Sequence, residues 1–270
     1  MVAISRRPGA DLGVKDAPNL RDLGGWRARG GKVRSGVLFR TVSITARQAE
    51  QAEAFSRLGV RYIYDLRTAD ERKLEPDKVP PGVDYISIDV LSDLNSAAGP
   101  ARLVNAMSDP EAVEMILRSP DTAARIEASF RSMISLPSAL AGYRQLFIDL
   151  AESEGGSSVI HCTTGKDRTG WASAALLLLL GVSEDDVYAD YLLTNKQLLP
   201  ALQPIVDDFV AAGGNPSLLK PILSVEAEYL DTTVDEMRQR FGSIEGYFYD
   251  GLQLDRSVVE RLRAAFIERD

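Results

Sequence analysis

Val159-Ile160-His161-Cys162-Thr163-Thr164-Gly165-Lys166-Asp167-Arg168-Thr169-Gly170 is the stretch on which the reading of this chain turns. Residues 157–162 have strand character, and they pass through a small polar loop into residues 172–182, which contain five consecutive leucines. That apolar run is about half the roughly 20 residues a membrane-crossing helix needs, so it predicts a buried core helix. A strand that feeds a loop and then a helix start builds an anion site. The first N–H groups of a helix have no intrahelical acceptor, and they sit at the positive end of its dipole. Gly165 lets the loop curl with no Cβ in the way.

Working outward, residues 60–66 and 83–90 are two further strand-like runs, with helical spacing between the runs. The alternation predicts an α/β fold with a central, largely parallel sheet flanked by helices. Asp109-Pro110-Glu111 has the form of an N-cap with Pro at the first helical position, ahead of Val113, Ile116 and Leu117. Pro120 and Asp121 then precede Ile126, Phe130, Met133 and Ile134, whose spacing predicts a second amphipathic helix. Residues 93–137 are therefore expected to be a helical insertion in a single domain spanning 1–270. Ser183 with Asp186 resembles a capping box, and Leu230, Val234, Met237 and Phe241 form a stripe expected to face the core.

The composition, 45% apolar and 26% charged over 270 residues, excludes disorder, collagen and coiled coil. A net charge of −8 disfavours nucleic acid or an anionic membrane as a bulk partner, so any anion site is local. A single cysteine excludes an intrachain disulfide, and with one histidine beside it excludes a Cys/His zinc cluster. A metal would need carboxylates alone. Arg6 and Arg7 are followed by no apolar run, so the first residues do not read as a signal peptide. Cytoplasmic residence is the default expectation, export without a signal peptide stays open, and oligomeric state is not legible.

Cys162 stands at the strand end, where the helix start and the charges of Lys166 and Arg168 favour thiolate over thiol and so make a nucleophile. Arg168 can fold back over the loop and grip two phosphate oxygens with its planar fork. His161 and Cys162 are strand neighbours whose side chains point to opposite faces, which disfavours a Cys-His protease and makes His161 a supporting residue behind the loop. Asp65, at the end of the first strand-like run, has two readings that stay level: support of the loop, or an ordinary ion pair with an arginine. Gly165-Lys166 fails the nucleotide-binding pattern, because Asp167 replaces the required Ser or Thr.

Cys162 to Arg168 matches the Cys-x5-Arg signature, and the chain resembles the protein-tyrosine phosphatase superfamily. Gly-Lys-Asp-Arg-Thr-Gly at 165–170 is similar to the bacterial atypical phosphatases of the mycobacterial PtpB type. Asn19-Leu20-Arg21-Asp22-Leu23-Gly24-Gly25, Leu38-Phe39-Arg40-Thr41, Asp65-Leu66-Arg67-Thr68 and Asp190-Tyr191-Leu192-Leu193-Thr194-Asn195 agree with it. The resemblance implies a phosphotyrosine-phosphatase-like fold and a cysteinyl-phosphate intermediate on Cys162. It implies phosphate binding by Arg168 and the loop amides of Thr163, Thr164, Gly165 and Lys166, with the Thr169 hydroxyl stabilising the leaving thiolate. The Trp-Pro-Asp acid loop of the well-known tyrosine phosphatases is absent, and Asp167 is the implied general acid. Lys166, Arg168 and the helix start favour its carboxylate and resist that role, while a dianionic phosphate pushes the other way. Asp89 and Asp93 are the rival acids. Phosphorylated proteins are the expected substrates and phosphoinositides the alternative, which a second basic group at Lys166 would suit. The insertion would be a lid, and no metal or other cofactor is implied. A sulfur transferase and a catalytically dead phospho-binding module are the weaker readings.

Overall fold

The computed structural model describes residues 7–14, 17–44, 49–94, 110–117, 119, 121–153 and 155–269. Its central sheet has five strands: β1 (Arg21–Asp22), β4 (Leu38–Thr41), β5 (Tyr62–Asp65), β6 (Asp84–Ser87) and β7 (Ser158–His161). They run in the order β1-β4-β7-β5-β6, parallel except for β1 against β4. The middle strand is therefore the one that delivers Cys162. Thr41, His161 and Asp65 stand in one register row at the carboxyl ends of β4, β7 and β5, where ligand sites of parallel sheets gather. A smaller sheet of β2 (Arg27–Ala28), β3 (Gly31–Val33) and β8 (Ile267–Glu268) joins the two ends of the chain.

The three expected strands are present and parallel, as the alternation predicts. Side chains alternate across the sheet: Phe39, Ile63 and Val159 enter one apolar cluster with Leu20 and Phe55, while Leu38, Tyr64 and Ile160 enter the larger one. Both faces are covered. Helices α1 (Ala49–Leu58) and α2 (Ala69–Leu74) follow β4 and β5, and the leucine run lies in α6 (Arg168–Leu179), buried almost throughout. Gly181 (φ 79) lets the chain turn out of that helix.

Of the expected insertion, α3 (Pro110–Leu117) begins at Pro110, and α4 (Thr122–Ser135) carries Phe130, Met133 and Ile134 inward. Asp109, Pro120 and residues 95–109 lie outside the described residues. Helix α4 packs on α5 (Pro137–Glu152) and on α8 (Ala227–Phe241), whose Leu230, Val234 and Met237 are the buried stripe. Asp93 lies just ahead of this region, and Asp121 precedes α4 without a side-chain cap. The capping box at Ser183 is only half formed. Ser183 accepts from the Asp186 amide at the start of α7 (Glu184–Ala211), but Asp186 returns no bond, being one methylene shorter than Glu. Helix α7 continues through Pro200 and Pro204 for 28 residues. Helix α9 (Arg256–Phe266) closes over α5. No helix among the described residues is long and apolar enough to cross a membrane.

Leu176 sits in the main core and Leu74 is exposed. Leu176→Ala should lower unfolding stability by about 2–5 kcal/mol, whereas Leu74→Ala should stay within about 0.5 kcal/mol of the parent. Urea denaturation measures both; equal effects would contradict the assigned core.

Candidate active site

Cys162 follows β7 directly and is 1% exposed. Residues 163–167 form the loop, and α6 starts at Arg168. The turn depends on Gly165: its φ is 60°, and a Cβ there would lie 2.0 Å from the Thr41 carbonyl oxygen. The amides of Thr164, Gly165, Lys166 and Asp167 find no acceptor among the described residues. They are the donors a phosphate would meet. The Thr169 hydroxyl is buried with no hydrogen-bond partner among the described residues, and Thr164 is half-buried in the loop.

Arg168 is almost fully buried, and its fork is already held. Nη1 and Nη2 donate to Glu71 Oε2 and Oε1, each at 2.7 Å, and Nη1 also reaches the Leu66 carbonyl at 3.3 Å. Glu71 in turn accepts from the Thr163 hydroxyl and from the Thr68 amide and hydroxyl, both at 2.9 Å. Thr68 and Glu71 form the capping box of α2, so the helix start and the arginine anchor are one structure. Burial alone would raise the Glu71 carboxyl, but the Arg168 bonds and charge outweigh it and hold it at about 2. Sequence reasoning missed Glu71. Thr68-x-x-Glu71 carries the signature of a helix start, but nothing local connects it to Arg168, 97 residues away.

A second network stands behind the loop. Arg40 on β4 donates to the carbonyls of Gly165 (2.8 Å) and Lys166 (3.4 Å) and to Asp190 Oδ2 (3.0 Å). Asn19 Nδ2 donates to the same Gly165 carbonyl at 3.0 Å. Arg21 joins them, donating to Asp190, Thr194 and Asn19. The motifs around 19, 40 and 190 thus converge on one peptide of the loop.

His161 is fully buried, with Nδ1 facing the Cys162 carbonyl at 3.0 Å and Nε2 3.4 Å from Asp77. Asp65 pairs with Arg67 at 2.8 Å and accepts from the Tyr85 hydroxyl at 2.6 Å, and its Oδ1 lies 3.9 Å from His161. Both readings of Asp65 therefore have a counterpart in the geometry. Burial would raise it, but His161 and Arg67 hold it well below the usual carboxylate range, whereas burial pushes Asp77 up. Asp65, Asp77 and His161 offer three ligand atoms within 4.8 Å of one another. Arg67 donates to both carboxylates, so a guanidinium takes the place a cation would need.

Lys166 is turned away from the loop interior. Its ammonium donates to the carbonyls of Ile222 and Ser224, the latter at 3.1 Å, and lies 3.6 Å from Asp167 Oδ2. Asp167 keeps a buried Oδ1 without a hydrogen-bond partner among the described residues. The rival acids are engaged elsewhere. Asp89 accepts from the Ala69 amide at 2.9 Å and Asp93 from the Ser138 amide at 2.6 Å, each at a helix start.

A buried cysteine beneath open loop amides, with an arginine fork fixed beside it, is the equipment of cysteine-dependent phosphoryl transfer. The family model for the tyrosine phosphatase family matches residues 12–268. The chain belongs to that family, and it is a cysteine-dependent phosphatase. A Cupriavidus necator protein that carries a provisional tyrosine-protein phosphatase name is 28% identical, over 95% of this chain and 88% of its own. The triple specificity protein phosphatase PtpB of Mycobacterium tuberculosis is 26% identical over 95% of this chain and all of its own length. A tyrosine-protein phosphatase of Nostoc commune is 26% identical over 60% of this chain and 49% of its own.

The Glu71 carboxyl lies below its ordinary value of 4.5. Its contribution is therefore complete above about pH 4.5 and lost as pH falls toward 2. Glu71→Gln should cost about 3 kcal/mol at pH 7 and flatten the loss of stability across that acid window. Denaturation at stepped pH measures this, and parallel profiles for the two proteins would refute the pairing.

Proposed function

We propose that the chain hydrolyses phosphotyrosine in proteins, and phosphoserine and phosphothreonine as well, with Cys162 as nucleophile. The reading is carried by one observation: Cys162 opens a loop whose amides at 164–167 meet no acceptor among the described residues, while Glu71 holds the end of the Arg168 guanidinium and leaves its Nε side to the loop. Sulfur attacks phosphorus, the S–P bond forms and the P–O ester bond breaks. Asp167 gives its proton to the departing oxygen. Water then attacks the cysteinyl-phosphate, Asp167 takes a proton from that water, and phosphate leaves with the thiolate restored. The loop amides and the Arg168 Nε side bind the equatorial oxygens, and Thr169 donates to the sulfur as it leaves.

The name of the mycobacterial relative supports a broad acceptance of phosphoesters. No contact favours a lipid headgroup: Lys166, the basic group that would have suited one, is engaged by two carbonyls. A lid function belongs more naturally to α3 than to α4. Val113 of α3 packs with Phe209, Leu219 and Leu223 in an apolar cluster separate from the main core, whereas α4 is part of that core.

Cys162→Ser should abolish turnover, on the order of 10^4-fold or more, while retaining inorganic phosphate binding. Asp167→Asn should slow alkyl phosphates by about 10^2 to 10^4-fold and activated aryl phosphates far less. Metal-free phosphate-release assays on phosphotyrosine, phosphoserine and phosphoinositide substrates check both. Residual turnover in Cys162→Ser would remove the nucleophile, equal losses on both leaving groups would move the acid elsewhere, and a phosphoinositide preference would replace the protein-substrate reading.

A further inference from the structure

We infer that Arg40 is a positioning residue for phosphate binding: from behind the loop it turns the peptides of Gly165 and Lys166 so that their amides face the anion. The inference deepens the reading of this loop as a phosphate cradle and rests on it. A trans peptide is planar, so its C=O and N–H point in opposite directions. Arg40 Nη2 takes the Gly165 carbonyl at 2.8 Å, which sends the Lys166 N–H the other way. Its 3.4 Å contact with the Lys166 carbonyl does the same for the Asp167 N–H. Asn19 secures the first of these peptides from a second side at 3.0 Å. It does so from a left-handed backbone (φ 66) that few residues other than glycine adopt.

Charge points the same way as geometry. Arg21 and Arg40 are both 0% exposed and share one carboxylate, Asp190, leaving one buried positive charge in excess. Arg40 Nε has no hydrogen-bond partner among the described residues. A buried, incompletely paired cation is costly in a fold that needs only packing, because desolvation is not repaid. Beneath a loop that binds a dianion, that excess is complementary to the ligand. Burial and the neighbouring Arg21 lower Arg40 to about 10, with Asp190 and Cys162 pulling upward, so it remains a cation at neutral pH.

A pillar that merely ties β4 to α7 would make the same contacts, so the test must separate binding from stability. Inorganic phosphate is titrated calorimetrically into the wild-type chain, Arg40→Met, Arg40→Lys and Asn19→Gly, alongside aryl-phosphate turnover and urea unfolding of each. Arg40→Met should weaken phosphate binding by about 10- to 100-fold, the size of one charge-assisted hydrogen bond. Arg40→Lys, which keeps the charge and loses the fork, should recover part of that loss. Asn19→Gly keeps the backbone conformation but deletes both the Gly165 carbonyl contact and the acceptor of Arg21, so it should weaken phosphate about threefold to tenfold and also lower stability, which the urea unfolding reads separately. If Arg40→Met does not fold, the lysine and glycine variants decide. Folded variants that lose stability but bind phosphate within about twofold of wild type would overturn the inference. Absence of Cys162-dependent turnover in the wild-type chain would instead overturn the proposed function, and the phosphate titration reads the two failures apart.

Discussion

A short loop can aim successive amides at one anion only if its carbonyls are received on the opposite side. Here that receiving surface is a guanidinium from β4, an amide from Asn19 and, behind both, the Asp190 carboxylate of α7. These groups come from three distant parts of the sequence, so β4 must lie beside β7, β1 beside β4, and α7 must cross behind the loop. The strand order meets that demand. Much of the fold on this side of the sheet can be read as a consequence of presenting carbonyl partners to Gly165 and Lys166.

The front of the site is held by a different logic. Arg168 is oriented by Glu71, and Glu71 is fixed by the same bonds that start α2. Thr163 adds its hydroxyl to that carboxylate, so a residue expected to bind substrate also supports the arginine. Lys166 follows a comparable pattern: its backbone belongs to the loop, while its ammonium ties the loop to residues 222–224. Asn195 extends that tie by exchanging hydrogen bonds with the backbone of Val225. In this loop the amides of residues 164–167 meet no acceptor among the described residues, and several side chains serve to hold the backbone still.

This division explains what could be read from sequence. Strands β5, β6 and β7 were legible because each lies in a run rich in β-branched and aromatic residues, and Cys162 and Arg168 stood out as a pair because their spacing is local. Strand β4 was not, since Leu38-Phe39-Arg40-Thr41 places a charged residue at a fully buried position and so breaks the pattern a core strand shows. Strands β1, β2 and β3, two or three residues long, have no periodicity to detect. Glu71, Asp77 and Asp190 act through partners far away in the chain, and a left-handed Asn19 has no mark in the sequence. The net charge of −8 was uninformative about the site, because its cations Arg21, Arg40, Arg67, Lys166 and Arg168 are all buried.

The same distinction bears on which carboxylate can shuttle a proton. A general acid must gain and lose its proton in every cycle, and a carboxylate that caps a helix would lose the charge that strengthens its bond to the amide each time it was protonated. Asp89 receives the first amide of α2, and Asp93 receives the Ser138 amide near the start of α5. Protonating Asp89 would loosen the helix that carries Glu71, and with it the alignment of Arg168, at the moment that alignment matters most. Asp167 has no such duty: one oxygen is unpartnered among the described residues, the other is 3.6 Å from Lys166, and the loop beneath it is fixed through backbone carbonyls rather than through its carboxylate. The proton that the proposed mechanism places on Asp167 would therefore leave undisturbed the elements that hold the loop.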